Sequence, residues 1–342
     1  VAFSVAARAR AVFGFGLLVG LVALLDASPA SAQRMDLALA RLSTTTGAGT
    51  FVPDDASWRQ LITEFTGALI PPTLTPARTR GPRSFYFGLD TSLTGISSST
   101  NFWHRGTEGQ ENGASENRQV DGVLAWTRLT VRKAFPFGFE LGTNIGYLVN
   151  TSYWALGLEI RWSLLEGWLS HDWVVPDIAL RGAVQTMVGD LEFNATVIAM
   201  DLTISNSIII GDAFELTPIT GGQAVYTIAD SELVDFTPGR NAFAQCNPDP
   251  ATPTNPGDPQ CRPATAGGDY SNNGVFAQIR TWRPRAFVGL QGRYEAFTLT
   301  GMFSGDVIPV TDIHSNGLVD AMGNPLSIAR QWRVDIAAGL SY

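Results

Sequence analysis

Charge is scarce in this chain. Asp, Glu, Lys and Arg make up 16% of its 342 residues, with 31 acidic against 23 basic. No Lys/Arg tract occurs, so the electrostatic footprint of a nucleic-acid partner is missing. Histidine (3) and cysteine (2) are rarer still, and none is spaced like a metal ligand set. A Gly-rich phosphate loop and a nucleophile elbow are also absent. Motifs therefore point to no cofactor, no metal and no catalytic residue. Long apolar runs are lacking too: the one from Ala11 to Leu25 has 15 residues, short of the roughly 20 that a spanning helix needs.

That run reads as part of a leader. Arg8 and Arg10 precede it, Asp26 and Pro29 close it, and Ala30-Ser31-Ala32 follows. This is the order of a secretory signal cleaved after Ala32. Its removal takes away Arg8, Arg10 and Asp26 and leaves 310 residues with 21 basic and 30 acidic, a net charge of −9. In an exported chain Cys246 and Cys261, which share a Pro- and Asn-rich segment, read as a disulfide. Closing that loop of about 15 residues is worth roughly 3 kcal/mol in the chain-entropy account.

What the chain does have is glycine (35), Phe (19), Trp (9) and period-two alternation. In residues 332–342, Trp332, Val334, Ile336, Ala338, Leu340 and Tyr342 share one face, with Arg333, Asp335, Ala337, Gly339 and Ser341 on the other. Only a strand has that period. Ten such segments are expected, at 84–93, 123–133, 139–149, 153–164, 177–188, 193–205, 213–226, 285–294, 297–304 and 332–342. Trp154 and Trp162, on one face of the fourth, stand about 27 Å apart along the strand and suit two interfacial girdles. Pro218 removes a ladder donor from the middle of the seventh.

Residues 33–83 differ. Met35 to Leu42 and Trp58 to Leu69 have helical spacing, Asp54 or Asp55 can cap the second piece, and Pro71, Pro72, Pro76 and Pro82 break any helix. The segment is expected either as a periplasmic piece that covers or enters a barrel mouth, or as an unstructured leader.

Ala30-Ser31-Ala32, the alternating blocks and the ending Ile336-Ala337-Ala338-Gly339-Leu340-Ser341-Tyr342 together resemble bacterial outer-membrane β-barrel proteins as a class, over about residues 84–342. The resemblance implies an all-β fold: an antiparallel transmembrane barrel of about ten strands, with eight or twelve as alternatives. It also implies outer-membrane lipid as partner and recognition of the C-terminal strand by the barrel-insertion machinery. Short periplasmic turns would be 134–138, 165–176, 206–212 and 295–296. The outer loops would be 94–122, 150–152, 189–192, 227–284 and 305–330.

On this pattern Arg128, Arg132, Glu140, Glu159, Arg161, Arg181, Asp201, Glu215, Gln291, Arg293, Arg333 and Asp335 face the lumen. They suit a structural interior filled by ion pairs, or a narrow passive pore for small solutes, since a barrel of about 8 strands is already filled by side chains. Two alternatives stay open. One is a rim enzyme, protease or lipid-modifying, using His104 with His314 and Asp312 from the first and last outer loops. The other is a surface binder acting through loop 227–284, where prolines and Cys246–Cys261 stiffen the chain. His171 and Asp172, beside Trp168 and Trp173, read as interfacial anchoring.

Overall fold

The computed structural model describes residues 33–45, 51–109, 116–165, 175–211, 213–238, 272–312, 326 and 328–342. The leader, Cys246 and Cys261, the Trp168–Trp173 cluster with His171 and Asp172, and His314 all lie outside the described residues.

Ten strands form the wall: β1 (Phe85–Gly95), β2 (Val123–Ala134), β3 (Phe139–Leu148), β4 (Trp154–Leu165), β5 (Asp177–Val188), β6 (Phe193–Ser205), β7 (Phe214–Ser231), β8 (Ile279–Tyr294), β9 (Phe297–Asp306) and β10 (Trp332–Ser341). Each pairs antiparallel with the next. Closure comes from β10 against β1, in register from Arg333↔Thr94 to Ser341↔Tyr86. No ladder edge of the ring is left open, which is what a sheet surrounded by hydrocarbon requires.

Alternation decides which residues face which medium. Leu141, Ile145, Leu156, Leu158, Ile160, Leu180, Met200, Val288, Leu299 and Ile336 are all exposed on the outside. Inward neighbours of the same strands, such as Asp90, Arg128, Arg161, Arg181 and Asp335, are buried. Aromatic residues gather at the two ends of the outer face. Phe139 stacks on Trp162 at the short-turn end, with ring centroids 5.5 Å apart. Tyr147 meets Trp154 and Tyr226 meets Trp282 at the long-loop end. An apolar belt between aromatic girdles is the exterior of a membrane barrel.

Strands β7 and β8 are longer than alternation alone suggested. They pair without a break from Phe214↔Tyr294 to Ala229↔Ile279, so part of the expected loop 227–284 is a hairpin rising above the ring. Pro284 hides the start of β8 in the sequence, while Pro218 falls inside the seventh expected segment. The Pro218 carbonyl accepts from the Asn206 amide, on the flank where β6 has already ended at Ser205↔Ile219. The Pro284 carbonyl accepts from Val307, one residue beyond the last β8–β9 pair, Arg285↔Asp306. The N–H and C=O of one strand residue point to the same flank, so neither missing N–H breaks a ladder.

The N-terminal segment occupies the lumen. Residues 33–45 pack against the long-loop end: Met35 donates to the Asn150 carbonyl, the Leu37 amide to the Tyr153 hydroxyl at 2.8 Å, and Arg34 pairs with Asp121. Helix α1 (Asp55–Leu69) then enters the ring, capped by the Asp54 side chain on the Ser57 amide. Its residues from Leu61 onward are all buried. Residues 70–84 descend to the short-turn end and run into β1. The segment thus enters the ring from the long-loop end, and α1 is buried from Leu61 onward, its polar Thr63, Glu64 and Thr66 included, because the wall surrounds it.

Candidate functional site

The lumen is lined in three levels, and each is matched to the part of the N-terminal segment it holds. At the long-loop level the inward positions are apolar: Leu124, Trp126, Leu148, Ala155, Phe193, Val197, Val225 and Ile279 pack with Trp58, Leu61, Ile62 and Phe65 of α1 in one core. Trp58 stacks on Phe276 at 4.9 Å and meets Phe193 edge-on. A short helix in the first long loop, α2 (Asn101–Arg105), closes this level from above. Within α1 the buried Glu64 accepts from the Trp103 indole at 2.8 Å and from the Ser97 amide at 2.9 Å, which ties that loop to the plug.

The middle level is ionic. Arg128 reaches Asp90 at 2.7 Å and Arg333 reaches Asp335 at 2.6 Å, with the Ser92 hydroxyl between them bonded to Arg128, Arg333 and Asp335. Arg181 pairs with Asp201 and with Glu159 at 2.8 Å. Glu159 also takes Arg132. Higher on the wall, Asp306 is shared by Arg283 and Arg285. Buried charges persist only when paired and hydrogen-bonded, and here each carboxylate has an arginine beside it.

These arginines do more than neutralise the wall. Arg283 donates to the Thr63 carbonyl at 2.7 Å and Arg333 to the Ile70 carbonyl. Arg181 donates to the carbonyls of Pro72 at 2.6 Å and Pro71 at 3.2 Å, and Arg161 to that of Pro76. Gln223 adds a bond to Pro71 and Gln331 one to Glu64. A proline residue offers a backbone acceptor and no donor, while guanidinium groups only donate. The Pro-rich leg and the Arg-rich wall are therefore complementary in hydrogen-bonding sense, and the wall cations sit below the C-terminal end of α1, where its dipole favours them. The void beside Pro71, Pro72 and Thr73 is about 10 Å³, room for one water at most.

At the short-turn end the lumen opens into a cavity of about 1080 Å³ bounded by the leg on one side and the wall on the other. Arg161 meets Glu140 at 2.6 Å and Arg293 meets Glu215 at 2.8 Å, the latter pair being half-exposed. Gln291 is buried and donates to the Thr298–Thr300 strand through Thr300.

Of the residues read from sequence as lumen-facing, Arg128, Arg132, Glu159, Arg181, Asp201, Arg333 and Asp335 sit in the middle network. Glu140, Arg161, Glu215, Gln291 and Arg293 lie at the mouth. Sequence reasoning missed Arg283 and Asp306, which lie just beyond the strand ends it set, and the apolar upper lining. Trp126 and Leu124 were legible there, since they share the parity of Arg128 and Arg132. His104 is occupied: its Nδ1 lies 2.6 Å from the Asn117 carbonyl and its own carbonyl accepts from Asn117, so it closes its loop. Asp312 pairs through its backbone with Thr281.

No protein-family model matches the chain, and no curated protein matches it. Among solved structures it is similar to Ail, the attachment invasion locus protein of Yersinia pestis, at 8% identity and a TM-score of 0.24, over 77% of this chain and 100% of that one. CdiB from Acinetobacter baumannii is similar at 11% identity and TM-score 0.21, over 79% and 65%. The toluene transporter TbuX of Ralstonia pickettii follows at 9% and 0.17, over 89% and 97%. At such scores these likenesses carry no weight for function. The barrel's own closure, apolar belt and aromatic ends define its class: the chain is a ten-stranded antiparallel barrel of the outer-membrane type.

Proposed function

We propose that this is an outer-membrane barrel held shut by its own N-terminal segment, a structural element of the envelope that does not pass solutes while the segment is seated. The short turns lie in the periplasm and the long loops outside, following the usual loop asymmetry. Residues 33–54 then lie at the outer end, α1 enters the ring from there, and the leg carries the chain on through the ring to β1. Export behind a leader cleaved after Ala32, and insertion guided by β10, belong to the same reading, as does the disulfide Cys246–Cys261.

The observation that carries the proposal is the row of wall donors, Arg283, Arg333, Arg181 and Arg161, on successive carbonyls from Thr63 to Pro76. A passive pore would leave that height of the lumen to water. A second reading, a conduit for small solutes opened when the segment moves, draws support from the cavity at the mouth. Efflux of a small neutral sugar from proteoliposomes separates the two: the intact chain is expected to match empty vesicles, and rapid efflux would reject the closed state.

A further inference from the structure

Asp36 is a buried acid that lacks a cation. It lies near the start of the N-terminal segment, at the long-loop end, and is only 6% exposed. Asp90, Glu140, Asp201 and Asp335, buried acids of the wall, each have an arginine within ion-pair distance. Among the described residues no Lys or Arg side chain reaches the Asp36 carboxylate, and Arg34, its near neighbour in sequence, is taken by Asp121. The carboxylate accepts from neutral donors. Oδ1 takes the Ser152 amide at 2.6 Å and the Ser152 hydroxyl at 3.1 Å, and Oδ2 takes the Gln33 main-chain nitrogen at 2.7 Å. The surroundings add like charge: burial and, in smaller share, Asp36 push the nearby Asp190 carboxyl above its ordinary value.

A buried charge without a counter-charge is costly, and the nitrogen on Oδ2 belongs to the residue that follows the leader. Hydrolysis of the Ala32–Gln33 bond puts the hydroxyl of water on the Ala32 carbonyl and its proton on the Gln33 nitrogen. The amine so released, with an ordinary pKa of about 8, takes a second proton from solvent. A neutral donor thus becomes an ammonium where it already stands 2.7 Å from a carboxylate. The Gln33 side chain holds that position, since its Nε2 donates to the Tyr147 hydroxyl of β3 at 3.1 Å. We propose that leader removal completes a lock, in which the new Gln33 α-ammonium pairs with buried Asp36 and fastens the N-terminal segment to Ser152 in the β3–β4 turn. The first long loop closes over the same point, the Glu108 amide donating to the Asp36 carbonyl and the Gly109 amide to that of Arg34. The plug is then fully secured only in the processed chain. This lock rests on the reading that the leader is cut after Ala32, and gives that cut a structural role besides release.

Hydrogen exchange over residues 35–42 tests the lock in two folded chains, in the same lipid vesicles. One begins at Gln33; the other begins at Ala30, keeping the Gln33 amide donor but carrying its ammonium three residues upstream. Exchange should be about tenfold slower in the first, the margin between a charge-assisted and a neutral hydrogen bond. In Asp36→Asn the two start points should exchange alike. Heat-modifiable gel mobility checks each fold, and intact mass checks that Gln33 has not cyclised with loss of ammonia. Equal exchange from the two start points with Asp36 present would overturn the lock, as would a difference that survives Asp36→Asn. The comparison of start points needs no substitution, so it decides even where Asp36→Asn fails to fold. Sequencing the first residue of the exported protein separates the lock from the reading beneath it: a residue other than Gln33 would overturn both, whereas Gln33 with equal exchange overturns the lock alone.

Discussion

Arg181→Met tests the carbonyl-hanging of the leg most sharply. The Arg181 side chain is 2% exposed and serves two structures at once. In the wall it pairs with Asp201 and with Glu159 at 2.8 Å. In the lumen it holds Pro72, Pro71 and the Thr73 hydroxyl, the last at 3.1 Å. Among the described residues methionine leaves Asp201 with only the Thr73 hydroxyl at 3.1 Å, while Glu159 keeps Arg132. Breaking one side of a buried pair should cost the barrel about 3–5 kcal/mol. Adding Asp201→Leu removes the stranded charge and should restore most of that. The leg does not recover: Pro71 retains Gln223, but Pro72 loses its donor, at a cost of about 1–3 kcal/mol. Urea unfolding from lipid vesicles reads the wall, and hydrogen exchange over residues 61–77 reads the leg. The single variant should lower both, and the double variant should recover wall stability with leg exchange still raised. Full recovery of both, or unchanged exchange in the single variant, would refute the reasoning.

Four further outcomes follow from the same geometry. Trp126→Ala removes a fully buried ring from the core around α1 and should cost about 3–5 kcal/mol, seen in urea unfolding as early release of α1. Leu158→Arg, on the exposed belt, should cost about 2–4 kcal/mol if it lies at the bilayer midplane, whereas Pro218→Ala should stay within about 0.5 kcal/mol in the same assay. Glu192, in the loop before β6, has its carboxyl pushed up to about 7 by burial and by Asp190, Glu108 and Asp235. Its neutral form is the one the fold favours, so its stabilising contribution is full below the ordinary 4.5 and is lost as pH rises through about 7. Exchange of the 189–193 backbone should therefore quicken over about pH 5 to 8, by on the order of 1 kcal/mol given solvent screening of a part-exposed group, and Glu192→Gln should flatten that dependence.

The wall was legible because hydrocarbon outside forces every second residue to be apolar, as in Trp154, Leu156, Leu158, Ile160 and Trp162. The tops of β7 and β8 were not. Pro284 counts against a strand by composition, and only the flank it faces shows that no ladder bond is lost. The helix at Trp58 to Leu69 was visible in its spacing, but its destination was not, because amphipathic spacing says nothing about which surface covers it. The missing clue lay on the wall: Leu124, Trp126, Leu148, Phe193, Val197 and Val225 have the inward parity of the charged residues, and an apolar upper lumen demands an apolar filling. Pairings within the lumen, such as Arg181 with both Asp201 and Glu159, depend on registers that sequence separation alone does not reveal.

Single-channel current through planar bilayers, recorded for the folded chain from Gln33 onward and for a variant lacking residues 33–83, probes the closing role of the N-terminal segment directly. The account predicts silence from the first and steady ohmic steps from the second. Comparable steps from both, or a silent truncated barrel shown to be folded and inserted, would contradict it.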